Sequence, residues 1–331
     1  MIKKTAFLSP KILTKEIEEV PNRNGFGQGL LEAGKKDKRV VALCADLTES
    51  TRTEYFKKEF PSRFIEIGVA EQLLATAAAG MANYGKIPFI ASYSAFSPGR
   101  NWEQIRTTIA LNDVPVKIIG SHSGISVGPD GATHQQLEDL ALMRTMPNMT
   151  VIAPCDSIEA KKATLAAAQT THPVYIRLAR EKTPIFTTEN TPFKIGKAEV
   201  LWESKKPIVT IIGCGPLVYE ALLASRQLEK LGIGSIVINN HTLKPIDKTT
   251  IINAAKKTRA VVTIEEHQIT GGLGGAVAEV LSQHYPVPIK FVGVKDCFGE
   301  SGEPHELLKK FGCTSADVIK SVKKVLKMKR I

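Results

Sequence analysis

FIEIGVAEQLLATAAAGMANYGKIPFIASY, residues 64–93, decides the fold. An apolar, β-branched run (FIEIGVA, 64–70) leads into an Ala- and Leu-rich helical stretch (71–84), and a second apolar run follows (KIPFIASY, 86–93). Strand, helix, strand is the unit of a parallel sheet, because parallel strands need a crossover and a helix supplies it. The alternation continues on both sides. VVALCAD (40–46), PVKIIGS (115–121) and TVIAPC (150–155) read as strands, while 101–112, 135–146 and 157–169 read as helices. A doubly wound, mostly parallel α/β domain is expected, with ligands gathering beyond the carboxyl ends of its strands.

A second series begins after a break. Residues 183–207 hold three prolines and no helical period; beyond them come IVTIIGCG (208–215), a helix over 218–232, SIVINN (235–240) and AVVTIEEH (260–267). The 331 residues therefore divide into a first α/β domain over 1–186, a linker over 187–206 and a second α/β domain over 207–331.

Composition narrows the function classes. With 43% hydrophobic and 23% charged residues the chain is globular, neither disordered nor collagen-like. The longest stretches free of Asp, Glu, Lys and Arg, 72–85 and 163–176, are too short for a membrane helix, and MIKKTAFLSPKILTK lacks the apolar core of a secretory signal. A cytoplasmic protein is expected. Five scattered cysteines without a C-x-x-C pair suit reduced thiols, so no metal site is expected within the chain. Of the net charge of +11, the final stretch from 308 to 331 carries +7, and there Val318, Ile319, Val322, Val325 and Leu326 recur at helical spacing. That is a solvated amphipathic helix; no aromatics interleave with the lysines to stack bases, which sets nucleic acid aside.

Several residues just after strands carry chemistry. Glu71 opens the Ala-rich helix, either as a first-turn acid complementing the helix dipole or as a functional carboxylate. In HSGISVGPDGATHQQ (122–136), Asp130 and His134 lie four apart, a spacing equally suited to a capping turn with a surface histidine and to a carboxylate orienting an acid–base imidazole. Tyr93 and Phe96 in ASYSAF are core residues or the walls of a flat pocket. GGLGGA (271–276) lacks the G-x-G-x-x-G spacing of a dinucleotide loop and reads as helix packing.

In combination these segments become specific. FIEIGVAEQ, then YSAF, then GPDGATHQQLEDLALMRTMPNMTVIAPCD, then YIRLAR resemble the pyrimidine-binding domain of transketolases, and 207–331 resembles their C-terminal domain. The resemblance implies thiamine diphosphate as cofactor, with Glu71 bonding N1′ of its aminopyrimidine, Tyr93 and Phe96 walling that ring and Asp46 lying beside it. It implies that Arg23, Ser50, His122 and Arg180 hold a sugar phosphate, and that Asp130 and His134 contact ketose hydroxyls and assist proton transfer. The implied reaction moves a two-carbon ketol unit from a ketose phosphate such as xylulose 5-phosphate to an aldose phosphate, in the non-oxidative pentose phosphate pathway.

The family's diphosphate and metal site needs a Gly-Asp-Gly run, and this chain has none. The expected partner is therefore an N-terminal-type transketolase subunit that holds the diphosphate and Mg2+ (or Ca2+), in an α2β2 assembly. The sequence departs from the pattern after Phe96, where Ser97-Pro98-Gly99-Arg100 replaces a third aromatic. An arginine there is more like 1-deoxyxylulose-5-phosphate synthases, and Arg100 joins the expected phosphate ligands. His122 speaks against a synthase, the DGATHQ run speaks against a 2-oxoacid dehydrogenase E1 β subunit, and the full set of site residues speaks against a decayed, non-catalytic relative.

Overall fold

The computed structural model describes residues 1–329. Its first domain is built on a seven-stranded sheet. In spatial order the strands are Thr242–Lys244, Thr150–Ile152, Val174–Arg177, Lys117–Ser121, Ile87–Tyr93, Val40–Cys44 and Phe64–Glu66. All pairs are parallel except the first, where Thr242–Lys244 runs antiparallel to Thr150–Ile152. The strands Val40–Cys44 and Lys117–Ser121 are buried throughout, because helices cover both faces. On one face Leu74, Ala75 and Ala78 of the helix Glu71–Asn83 pack with Ile105 and Ile109. On the other, Phe26 and Leu30 of the helix Asn22–Lys36 pack with Ala160 and Ala163 of the helix Ser157–Ala168.

The helix Asn22–Lys36 went unread because Gly25, Gly27, Gly29 and Gly34 dilute its pattern. Those glycines serve close approach: a Cβ on Gly25 would lie 1.8 Å from the Ser157 carbonyl oxygen. The helix expected over 135–146 is confined to Asp139–Arg144. Its first turn is lost because Gln135 and Gln136 bond elsewhere: the Gln135 amide donates to the Ile125 and Glu300 carbonyls, and the Gln136 carbonyl accepts from Gly124.

The second domain has a five-stranded sheet in the order Ile289–Val294, Val261–Gln268, Pro207–Gly213, Gly234–Asn239 and Glu199–Glu203. The last strand is antiparallel and lies inside the stretch read as a linker. The helix Ser315–Met328 buries Val318, Val322 and Val325 against this sheet and starts with a capping box between Thr314 and Asp317. Both domains are thus doubly wound α/β units, and they exchange segments. The Lys3 amide bonds the Leu201 carbonyl in the second, while Thr242–Lys244 completes the edge of the first sheet. Among the described residues no helix is long and apolar enough to cross a membrane.

Candidate active site

The carboxyl ends of the strands Val40–Cys44, Ile87–Tyr93 and Lys117–Ser121 open onto one cluster of side chains. Glu71 begins its helix beside them, its side chain only 1% exposed. Arg100 Nη1 donates to Glu71 Oε2 at 2.7 Å, and the Ser92 hydroxyl reaches Oε1 at 3.5 Å. Asn101 Nδ2 donates to the Glu71 carbonyl at 2.9 Å, tying the turn after Phe96 to the start of the helix. These contacts give the buried carboxylate a counter-charge and hydrogen-bond donors.

Tyr93 and Phe96 stack at 6.1 Å between ring centroids, Tyr93 stacks on His122 at 3.9 Å, and His134 meets Phe96 edge-on at 5.4 Å. The two aromatics are therefore a pocket wall shared with both histidines. His122 has φ 55°, which turns its side chain back toward this wall. Arg23 Nη1 donates to its Nε2 at 3.2 Å, and a guanidinium only donates, so Nε2 is the bare nitrogen and Nδ1 carries the proton toward Ser121 Oγ at 2.9 Å. Burial, reinforced by the charges of Arg23 and Arg180, pushes the His122 imidazolium down to about 2, so the ring is neutral.

Arg23 also donates to the Ser50 carbonyl at 2.9 Å, and its Nε is buried without a partner. Burial and the charge of Arg52 hold its guanidinium below the usual value. Arg180 Nη1 donates to the Val127 carbonyl at 2.5 Å and lies 4.0 Å from Asp130. The His134 Nδ1 pairs with Thr133 Oγ1 at 2.9 Å. Asp46, at φ 56°, is exposed just beyond the strand Val40–Cys44, its backbone N–H held by Glu66 at 2.7 Å.

The structure thus brings Glu71, Tyr93, Phe96, His122, His134, Arg23 and Ser50 together, with Arg180 and Asp130 adjoining. Arg100 stands apart from the other phosphate candidates: it binds Glu71 and lies over Phe96, its Cζ 5.0 Å from the ring centroid. Sequence reasoning missed four contributors. Ser92 and Asn101 attend Glu71, Arg52 adds positive charge beside Arg23 and His122, and Glu266 of the second domain accepts the Ser126 amide at 2.6 Å, strapping down the loop that carries Asp130 and His134. Only Arg52, beside Ser50, carried a local signal.

A buried carboxylate at the side of an aromatic slot fits the polar edge and flat faces of an aminopyrimidine. Among the described residues no group of three or more His, Cys, Asp or Glu is placed to hold a metal ion.

Residues 18–185 match the family described as transketolase, pyrimidine binding domain, and 196–318 match transketolase, C-terminal domain. A putative transketolase C-terminal section from Methanocaldococcus jannaschii is 44% identical over 308 residues, covering 92% of this chain and 96% of its own. A 6-deoxy-6-sulfo-D-fructose transketolase subunit from a Clostridium species is 41% identical over 314 residues, covering 95% and 97%. Human transketolase is 36% identical over 308 residues, and there the match spans 92% of this chain but 49% of the longer protein. Among solved structures, a split gene transketolase described as an inactive beta4 tetramer superposes with a TM-score of 0.87 at 44% identity, covering 94% of this chain and 99% of that one. The chain therefore belongs to the transketolase family of transferases, and within it to the C-terminal subunits of split transketolases.

Proposed function

We propose that this subunit supplies the aminopyrimidine side and the sugar-phosphate side of a thiamine diphosphate-dependent ketol transfer, which an N-terminal-type subunit completes by holding the diphosphate with Mg2+ (or Ca2+). The observation that carries the reading is the buried Glu71 carboxylate beside the Tyr93 and Phe96 slot, next to a pocket of guanidiniums and a neutral imidazole. When bound, the cofactor supplies a carbon nucleophile at its thiazolium ring. Glu71 holds a proton at N1′, Tyr93 and Phe96 orient the ring and exclude water, and Asp46 borders it. Arg23, Arg180, His122 and Ser50 bind the anionic end of the sugar, arginine's fork matching a phosphate. His134, with Nδ1 fixed by Thr133, moves a proton at the sugar hydroxyls through Nε2, and Asp130 bonds a neighbouring hydroxyl.

The donor we assign is a ketose phosphate such as xylulose 5-phosphate, and the setting the cytoplasmic non-oxidative pentose phosphate pathway. Related subunits bear names for sulfofructose and apulose-4-phosphate, both consistent with an anionic sugar. The partner docks on the outer side of the Glu71 helix and its flanks, where Val69 before it, Leu73 within it and Tyr84 after it are 71%, 55% and 91% exposed. We assign an α2β2 assembly; without its partner the chain self-associates and is inactive, as the description of the split-gene relative suggests.

The test is reconstitution. The subunit alone is expected to show no ketol transfer from xylulose 5-phosphate to ribose 5-phosphate, and addition of a Gly-Asp-Gly-bearing subunit to restore it. Full turnover by the chain alone overturns the split-site reading, and consumption of pyruvate points to synthase chemistry instead.

A further inference from the structure

We propose that Arg100 is a placeholder for the cofactor's aminopyrimidine: in the empty subunit its guanidinium occupies the Glu71 carboxylate and the face of Phe96, and cofactor binding displaces it. The inference rests on the reading of Glu71 as the N1′ partner and goes beyond it.

The geometry matches on each count. The guanidinium is planar and cationic; it donates to Glu71 Oε2 at 2.7 Å and lies over the Phe96 ring with Cζ 5.0 Å from the centroid. A protonated aminopyrimidine would offer the same pair of features, an N–H for the carboxylate and a flat face for the aromatic. The two side chains differ in burial: Glu71 is 1% exposed and Arg100 is 50% exposed, so the arginine has a path to solvent that the carboxylate lacks. Glu71 is its only carboxylate partner among the described residues.

The presentation is built into the chain. Gly99 closes a turn so tight that a Cβ there would lie 2.1 Å from the Ala95 carbonyl oxygen, and the Arg100 amide bonds the Phe96 carbonyl at 3.0 Å. Asn101 then fastens the turn to the Glu71 carbonyl and to Ser97 Oγ at 3.2 Å. The backbone is pinned, while the long side chain is half exposed and reaches Glu71 through a single guanidinium nitrogen.

The physical reason follows from a subunit that exists before its cofactor site is complete. A buried carboxylate without a counter-charge is costly, so the empty subunit needs a cation at Glu71. Any ligand that replaces the cation binds with an apparent affinity reduced by the fraction of molecules in which the slot is open. Arg100 therefore stabilises the empty subunit and weakens cofactor binding.

The experiment compares wild type with Arg100→Met, which keeps an unbranched apolar stem and removes the guanidinium and its charge. The melting temperature of the free subunit is expected to fall by about 2–4 °C. Thiamine diphosphate with Mg2+, titrated calorimetrically into the reconstituted complex, is expected to bind roughly tenfold more tightly to the variant. Equal or weaker binding by the variant overturns the placeholder role and makes Arg100 a cofactor or substrate ligand. Should the variant not fold, wild type alone decides: arginine-selective labelling with p-hydroxyphenylglyoxal, read by peptide mass spectrometry, is expected to rise at Arg100 when cofactor saturates the complex. Unchanged or reduced labelling overturns the proposal. Glu71→Gln is the control for the underlying reading, which fails on its own if that variant binds cofactor as well as wild type does.

Discussion

The two domains share a doubly wound plan yet use their strand ends in opposite ways. Beyond the first sheet, Asp46, Arg52 and His122 adopt left-handed φ of 56°, 66° and 55°, and Arg23 keeps a buried donor without a partner. These are strained or unsatisfied groups facing an opening. Beyond the second sheet, the carboxylates are spent on the protein itself. Glu265 caps the helix Leu273–His284 by accepting the Leu273 and Gly274 amides at 2.6 and 2.7 Å; Glu266 holds the Ser126 amide; and Asn239 donates to Glu159 at 2.8 Å. Burial pushes both Glu265 and Glu266 above the usual carboxylate range, the mark of groups sealed from solvent. The same topology offers a ligand crevice twice; at the first an arginine donor stays open, whereas at the second the open atoms are the side-chain carbonyls of Asn239 and Asn240 and Nε2 of His241, all sealed by burial.

Three substitutions probe this contrast. The largest effect is expected for Glu71→Gln: about 10³-fold loss of kcat in the reconstituted enzyme at saturating cofactor, with the subunit's melting temperature little changed. A variant with wild-type turnover would erase the division between the two domains. Glu265→Ala should behave in the opposite way. Losing two charge-assisted bonds to the Leu273 and Gly274 amides costs about 2 kcal/mol and lowers the melting temperature by about 4–8 °C, while KM for the ketose phosphate stays within about twofold.

The smallest effect is a pH slope. The folded state holds His122 neutral far below its ordinary value of 6.5, whereas the unfolded chain takes up the proton as pH falls through that value. Unfolding then binds a proton, so stability is lost on acidification below about pH 6.5, by about 1.4 kcal/mol per pH unit. Glu159, raised to about 7 by burial and the charge of Asp156, contributes the reverse slope between its ordinary value and about 7. Because Glu159 is present in both proteins, the wild-type minus His122→Asn difference in denaturant unfolding between pH 7 and pH 5 isolates the histidine. A difference that does not change with pH overturns its assignment as a buried neutral ring.

What was legible in the sequence follows a physical rule. Strands buried on both faces announce themselves as apolar runs, so Val40–Cys44, Ile87–Tyr93 and Lys117–Ser121 were readable, as was Glu71 at the start of an uninterrupted helix. Asn22–Lys36 was hidden because its glycines record close packing rather than its own propensity, Gly25 and Gly29 against Ser157–Ala168 and Gly27 and Gly34 against Arg52, Tyr55, Phe56 and Phe60. The edge strand Glu199–Glu203 was hidden among prolines and charges. Within the site, residue types were legible and pairings were not. Arg100 lies 29 positions from Glu71, and Glu266 lies 140 from Ser126. No local pattern encodes such contacts; they exist only after the sheets have assembled.

The strand Thr242–Lys244 has a consequence for how the chain comes off the ribosome. It is the edge of the first sheet, yet it is made after Pro207–Gly213 and Gly234–Asn239 have begun the second. During synthesis the strand Thr150–Ile152 therefore waits with one flank of its backbone bare while about ninety further residues are added. The most vulnerable nascent species is not the half-made first domain but the apparently finished one, in which an open hydrogen-bonding ladder invites a neighbouring chain on the same polysome.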